Sequence, residues 1–439
     1  MIGGVIVMKF GGTSVGDANS IRKVVQIVAR QLARQPLLVV SAHAGITDAL
    51  LAVAAHAPAG AADTAAITAR HREILADLGL PTDLLDPLLG ELQDLARGLR
   101  LVGAASPKAL DLLASYGERC SARTVAAALR LAGIPATAVD AFAAGLRTDS
   151  SYGRARPLPD DGRIARSLAA VDGVPVVTGF VAADEQGNIT TLGRNGSDYS
   201  AALFGAAVQA EEIQIWKDVD GVRTADPKLV PTARPIRSMG FAEVCELASF
   251  GSKVLHPAAM VPAMQRGIPL SVRNTQEPDA PGTRIEAGQP QDRPAVRAIA
   301  HRAGVALLTV GSDRLVPQHA FLARVFRELD EQHIDVGPVA VSEAAVTVAL
   351  EAPSVARARE RLASLGDVEI EPGQAVVGVV GAPESIASGG AATVFAALAA
   401  ARIPVRCAGQ GAHGGTLALV VPEGDLRTAV ALLHERFFP

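Results

Sequence analysis

Cysteine is scarce. Cys120, Cys245 and Cys407 are the only three thiols in 439 residues, odd in number and far apart. That excludes a disulfide framework and a CxxC zinc or redox centre, and the thiols are expected to be buried and reduced. A basic surplus is also missing: the formal charge is −4 with 20% charged residues, against a sequence-independent nucleic-acid binder. Every long apolar stretch, Leu37 to Ala62 for example, is broken by Gly, Pro or ionisable residues, so no membrane span is expected. The first residues lack the charged leader and cleavage pattern of a signal peptide, which points to the cytosol. The nine histidines show no paired metal-ligand spacing; His43 and His256, nearest the motifs described below, read as loop or core residues.

What is present is a regular alternation. Strands are predicted at Val5–Phe10, Leu37–Ser41, Ala136–Val139, Val174–Val177, Ile189–Leu192, Ile213–Trp216 and Leu270–Val272, with helices between them. One helix carries Ile21, Val24, Val25, Val28 and Leu32 at helical spacing. Asp48 to Leu101 reads as a helical excursion, and Ser106-Pro107 as an N-cap followed by proline at the first helical position. This is the pattern of an α/β domain with a mostly parallel sheet. A Pro-, Gly- and Gln-rich change between Gln276 and Pro294 marks a domain boundary, separating residues 1–290 from 291–439. Beyond it two similar halves, about 300–365 and 370–439, each read β-α-β-β. The first has strands at Val305–Val310, Ile334–Val336 and Ala345–Leu350. The second has strands at Ala375–Val380, Ile403–Val405 and Thr416–Val421, then a helix at Asp425–Arg436. Gly409 to Gly414 has G-x-G-x-x-G spacing but runs into a strand, so a hairpin loop is expected there, not a dinucleotide site.

Three motifs carry chemistry. Lys9-Phe10-Gly11-Gly12-Thr13-Ser14 leaves a strand and enters a helix. Adjacent glycines let backbone amides approach phosphoryl oxygens, the helix start adds donors, and Lys9 adds charge. A plain strand-to-helix turn is the alternative. Gly193 to Ser200 places Arg194, Ser197 and Asp198 on one loop at a helix start. Arginine offers a fork for a carboxylate and aspartate can hold an ammonium, though Ser197 or Asp198 could serve only as a cap. Trp216 to Lys228 gathers Lys217, Asp218, Arg223 and Lys228 around Asp-Gly and Asp-Pro turns, suited to a nucleotide's phosphates and metal, or simply to solvent.

Together with Ser41-Ala42-His43-Ala44-Gly45-Ile46-Thr47, Gly117-Glu118 and Phe250 to Pro257, these motifs resemble the aspartate kinases, in order and over nearly the whole chain. The resemblance implies a three-layer αβα amino acid kinase sandwich with a mostly parallel central sheet, followed by two α+β ferredoxin-like ACT domains. It also implies ATP and Mg2+ as cofactors and phosphorylation of the L-aspartate β-carboxylate to 4-phospho-L-aspartate, on the route to lysine, threonine and methionine. Such a transfer brings two anions together and demands cations and amides more than a general base.

By this resemblance Lys9 neutralises the transferring phosphoryl group, with the Gly11 and Gly12 amides as further donors. Asp198 holds Lys9 or the substrate ammonium, Glu118 reads that ammonium, and Arg194 grips the α-carboxylate, with Ser197 beside it. Ser41 and Thr47 position the β-carboxylate. Lys217, Asp218, Arg223, Lys228, Lys253 and Val254 surround ATP. Arg223 stands where the family commonly has an aromatic residue, and Ser252 where it has alanine. Phe321–Phe326, Val341-Ser342-Glu343 and Leu432–Phe438 carry the ACT likeness, which implies a homodimer or larger assembly and an amino-acid effector such as lysine or threonine. Pro317-Gln318-His319 and His413-Gly414-Gly415 depart from the usual effector loops, leaving the effector open. Another amino acid kinase and a non-catalytic amino-acid sensor are the rival readings.

Overall fold

Ile6–Phe10 (β1) is buried along its whole length, and its period-two alternation organises the first unit. Ile6, Met8 and Phe10 enter one core with the helices α1 (Ala18–Ala29), α2 (Ile46–His56), α3 (Ala65–Leu78), α4 (Asp86–Val102) and α5 (Pro107–Leu131). Lys9, one step out of phase, meets Asp198 instead. The computed structural model describes residues 4–59, 63–251, 254–288, 294–312, 318–411 and 414–439.

The other strands of this unit are β2 (Pro36–Val40), β3 (Ala136–Val139), β4 (Val174–Thr178), β5 (Val181–Ala183), β6 (Ile189–Thr191), β7 (Glu212–Lys217), β8 (Ser238–Gly240), β9 (Leu270–Asn274) and β10 (Thr283–Glu286). Eight of the ten form one sheet in the order β3-β4-β2-β1-β7-β9-β10-β8. It is parallel from β3 through β9, and β10 joins β9 antiparallel. Helices α6 (Arg163–Ala169) and α7 (Gly196–Ala207) complete the labelled set, α7 packing beside β1 and against the helix Pro257–Arg266. The predicted strand at Ile189–Leu192 exists but pairs only with β5, as a separate antiparallel ribbon. Ser106 caps α5 through its side chain, accepting from the Ala109 amide at 3.2 Å, with Pro107 next.

The chain divides into two compact units, the first comprising Met1–Val222, Arg237–Phe241 and Val254–Gly288. The second takes Gln289–Pro439 together with Arg223–Ile236 and Ala242–Lys253. The first of these inserts belongs there because Ala225, Val230 and Ala233 share a core with Val296, Ile299 and Leu433.

In the second unit β11 (Val296–Gly311), β12 (Val339–Val341), β13 (Ala345–Glu351), β14 (Asp367–Gly381), β15 (Cys407–Gln410) and β16 (Thr416–Pro422) form a single antiparallel sheet, ordered β12-β13-β11-β14-β16-β15. The halves interleave: β11 pairs with β13 through its second portion, while its first portion, from Val296 to Arg302, pairs with the end of β14 that β16 flanks. The glycine-rich run at Gly409 lies in the β15–β16 hairpin.

Two predicted strands, Ile334–Val336 and Ile403–Val405, are not strands; β12 and β15 follow instead, further along. Each apolar run begins as a helix stop. His333 and Arg402 have positive φ (52° and 57°), and the next amides, of Ile334 and Ile403, reach back to Leu329 and Leu398 at 3.0 and 2.9 Å. That is the closure in which the residue after a left-handed C′ position buries an apolar side chain against the helix. A helix at Val355–Leu362, short and charged, also ends the first half.

Candidate active site

The ends of β1, β2, β4 and β7 converge because small residues stand where a side chain would collide. A Cβ on Gly117 would lie 2.7 Å from the Ala42 Cβ, and one on Gly179 would lie 2.7 Å from the Ser197 Cβ. These approaches bring α5 against the loop after β2, and the loop after β4 against α7.

Asp198 occupies the centre. Its residue is 3% exposed, and Lys9 Nζ lies 2.6 Å from Oδ1 while Lys217 Nζ lies 3.1 Å from Oδ2. Burial pushes its carboxyl up, but the two ammoniums outweigh that and hold it below the usual carboxylate range. Lys217 also donates to the Val254 carbonyl at 2.6 Å, so Val254 anchors a lysine through its backbone. The cap of α7 is Asn195, in the left-handed region at φ 57°, so neither Ser197 nor Asp198 is the cap.

Glu118, on α5, is equally buried and carries no ion pair within salt-bridge distance among the described residues. Desolvation pushes its carboxyl up to about 8, against the smaller opposing effects of the Ala42 amide, its own amide and the Lys9 charge. Its Oε2 has no hydrogen-bond partner. The site therefore holds one carboxylate paired with two lysines and one buried carboxyl with an unpartnered oxygen.

The glycine loop differs from the expectation. Gly11 spends its amide on the Trp216 carbonyl at 3.1 Å, continuing the β1–β7 pairing, so it is not a free phosphate donor. The Gly12 amide makes no hydrogen bond among the described residues. Nor does the start of α1 offer a free set of donors, since the Asp17 carboxylate caps it, accepting from the Ser20 amide at 2.7 Å.

Ser41 and Thr47 are half-buried, and neither hydroxyl bonds to a described residue. Arg194 is exposed and lines a cleft of about 370 Å3 with Arg154, Tyr199 and His256. Asp218 is exposed just past β7. Arg223 and Lys228 belong to the second unit, where the Arg223 guanidinium donates to the Ala233 carbonyl at 2.8 Å and Lys228 is exposed. Lys253 lies outside the described residues.

Two contributors escape sequence reasoning. Asp111, buried on α5, accepts from the Thr191 hydroxyl and amide at 2.9 and 2.8 Å and from the Gly153 amide at 2.9 Å. It thereby fixes the strand that delivers Arg194. Phe180 is held at φ 63°, a rare conformation for a bulky residue, with its amide bonded to Ser200 Oγ at 2.9 Å. Neither stands in a recognisable motif.

The three cysteines are free, with Cys120 and Cys407 buried; burial pushes the Cys120 thiol up to about 12, which makes it inert at neutral pH.

Comparison with known proteins decides the family. The amino acid kinase family model matches residues 4–274, and an ACT domain model matches residues 377–437. The chain is 34% identical to the lysine-sensitive aspartokinase 3 of Escherichia coli (strain K12), over 99% of both chains. It belongs to the aspartokinases of the amino acid kinase family. Its fold matches the crystal structure of E. coli aspartokinase III in complex with aspartate and ADP (R-state) at a TM-score of 0.84. That match has 33% identity and covers 99% of this chain and 100% of the other. The same enzyme in complex with lysine and aspartate (T-state) gives 0.81 at 33% identity, again over 99% and 100%. As an aspartokinase, the chain is a phosphotransferase with a carboxyl group as acceptor.

Proposed function

We propose that this aspartokinase transfers the γ-phosphoryl group of ATP to the β-carboxylate of L-aspartate, giving 4-phospho-L-aspartate for lysine, threonine and methionine synthesis in the cytosol. The observation that carries the reading is the buried Asp198 carboxylate shared by Lys9 and Lys217 at 2.6 and 3.1 Å.

The acceptor is already ionised at neutral pH, so the reaction needs no general base. It needs two anions held together, which fixed cations in a water-poor site accomplish. Asp198 pre-aligns both lysines, so their charge is in place before the phosphates arrive. Lys9 faces the transferring group and the Gly12 amide adds a donor, while Lys217, Asp218 and Val254 serve the nucleotide. Glu118 gives up its proton when the substrate ammonium takes its place opposite, and Arg194 with Ser197 takes the α-carboxylate. The unengaged hydroxyls of Ser41 and Thr47 orient the β-carboxylate.

Among the described residues no cluster of three metal-ligating side chains exists, and Asp198 is committed to lysine. These residues do not form a resident Mg2+ site; the ion is read as part of the nucleotide substrate, held by its phosphates. No helix of the described residues is long and apolar enough to cross a membrane. The paired ACT repeats fit a homodimer or larger assembly with lysine or threonine as effector.

An ATP-dependent hydroxamate assay tests the reading. Aspartyl hydroxamate should form in step with ADP, and lysine or threonine should lower the rate. Product with glutamate and none with aspartate would refute the substrate assignment, and no product with either would refute the activity.

A further inference from the structure

Two histidines lie behind this site, on different elements. His43 follows β2, His71 sits on α3, and each is 1% exposed, with ring centroids 5.2 Å apart at 57°. His43 Nδ1 lies 2.5 Å from the Val15 carbonyl oxygen. A carbonyl only accepts, so Nδ1 carries the proton and Nε2 is left with its lone pair. That Nε2 and His71 Nδ1 are both buried without a hydrogen-bond partner, which an apolar pair would avoid. Packing alone does not account for imidazole at these two positions.

Their neighbours suggest what does. Val15 ends the glycine loop that follows Lys9. His43 follows Ala42, whose carbonyl lies 3.1 Å from where a Gly12 Cβ would stand, and whose side chain abuts Gly117 beside Glu118. Arg70, adjacent to His71 on α3, donates to the Gly16 carbonyl at 3.0 Å. The loop carrying the phosphoryl-facing residues is thus tied to the loop of Ser41 and Thr47 at Val15, and to α3 at Gly16.

We propose that His43 is a positioning residue for phosphoryl transfer: its Nδ1–H locks the Lys9 loop to the acceptor loop, and His71 backs the ring so that this tautomer persists. The inference rests on the proposed function, because that function assigns the phosphoryl group and the acceptor carboxylate to these loops. Arg70 is the charged group acting on the pair; burial and its positive charge hold His43 at about 4 and His71 at about 3, so both rings stay neutral above pH 5.

The test uses the full chain with two substitutions. His43→Asn keeps an N–H near the Nδ1 position, whereas His43→Leu keeps volume and loses the donor. The Leu variant should lose at least tenfold in kcat, with the Asn variant recovering most of it despite its smaller side chain. Hydrogen exchange of the Gly11–Gly16 amides should quicken in Leu and not in Asn, a readout that stands whether or not the parent phosphorylates aspartate. In the unsubstituted protein, 15N imidazole shifts should report His43 protonated at Nδ1. The Nε2 tautomer, or a Leu variant equal to or better than Asn in kcat or loop protection, would overturn the proposal. An inactive parent with the expected tautomer and exchange would instead refute the functional reading.

Discussion

Lys9 and Asp198, 189 residues apart in the chain, meet at 2.6 Å with both side chains buried. Because Lys217 takes the other carboxylate oxygen at 3.1 Å, neither lysine can be considered alone. Truncating one member of a buried charge set strands the others, at a cost of about 3–5 kcal/mol. Asp198→Asn should therefore lower thermal stability substantially as well as abolish turnover. A chemical-denaturation midpoint unchanged from the parent would show that the lysines are solvated after all.

Glu118 yields a prediction of definite sign. Its carboxyl titrates near 4.5 unfolded and about 8 folded, so between those values the unfolded chain has lost a proton that the folded chain keeps. This group's effect on stability is nil below pH 4.5 and becomes destabilising as pH rises toward 8. Glu118→Gln, which mimics the protonated form, should flatten that decline and raise the melting temperature at pH 8. The same substitution should raise the aspartate KM at least tenfold, and steady-state kinetics with calorimetry checks both.

The histidine pair acts in the acid range. Unfolded histidine titrates near 6.5, whereas folded His43 and His71 stand at about 4 and 3. Below pH 6.5 the unfolded chain binds protons first, so stability is lost as pH falls toward 4 and is fully present above about 7. His71→Phe should reduce the slope of melting temperature against pH in that window. An unaltered slope would mean that the ring is already solvated.

Asp111 joins α5 to the strand before Arg194 through two hydrogen bonds from Thr191, and to the loop at Gly153 through a third. Asp111→Ala leaves the buried Thr191 amide and hydroxyl unsatisfied, costing about 1–3 kcal/mol for each orphaned group. The aspartate KM should rise more than the ATP KM. Equal effects on both would place Asp111 outside substrate positioning.

Elements whose signal is local were legible in the sequence: the buried runs of β1, β2, β4, β7 and β9, and the Ser106-Pro107 start of α5. Short β8 and β10 carry too few apolar residues to announce themselves. Ile334 and Ile403 misled because a buried residue closing a helix looks, in one dimension, like the first of a strand. The interleaving of the two C-terminal halves was invisible because β11 and β14 each serve both halves. Within the site, residue types were readable and partners less so: the Gly11 amide is consumed by Trp216, and Asp111 looks ordinary in an Ala- and Leu-rich helix.

The central claim is that the charge of Lys9, aligned by Asp198, drives phosphoryl transfer rather than substrate capture. Initial rates of hydroxamate formation by Lys9→Ala, at saturating ATP and varied aspartate, test it most directly. The account predicts kcat lowered by about a hundredfold or more, the scale of losing a preorganised charge-stabilising group, with the aspartate KM within threefold of the parent. A kcat within threefold of the parent, or a loss confined to KM, would contradict it.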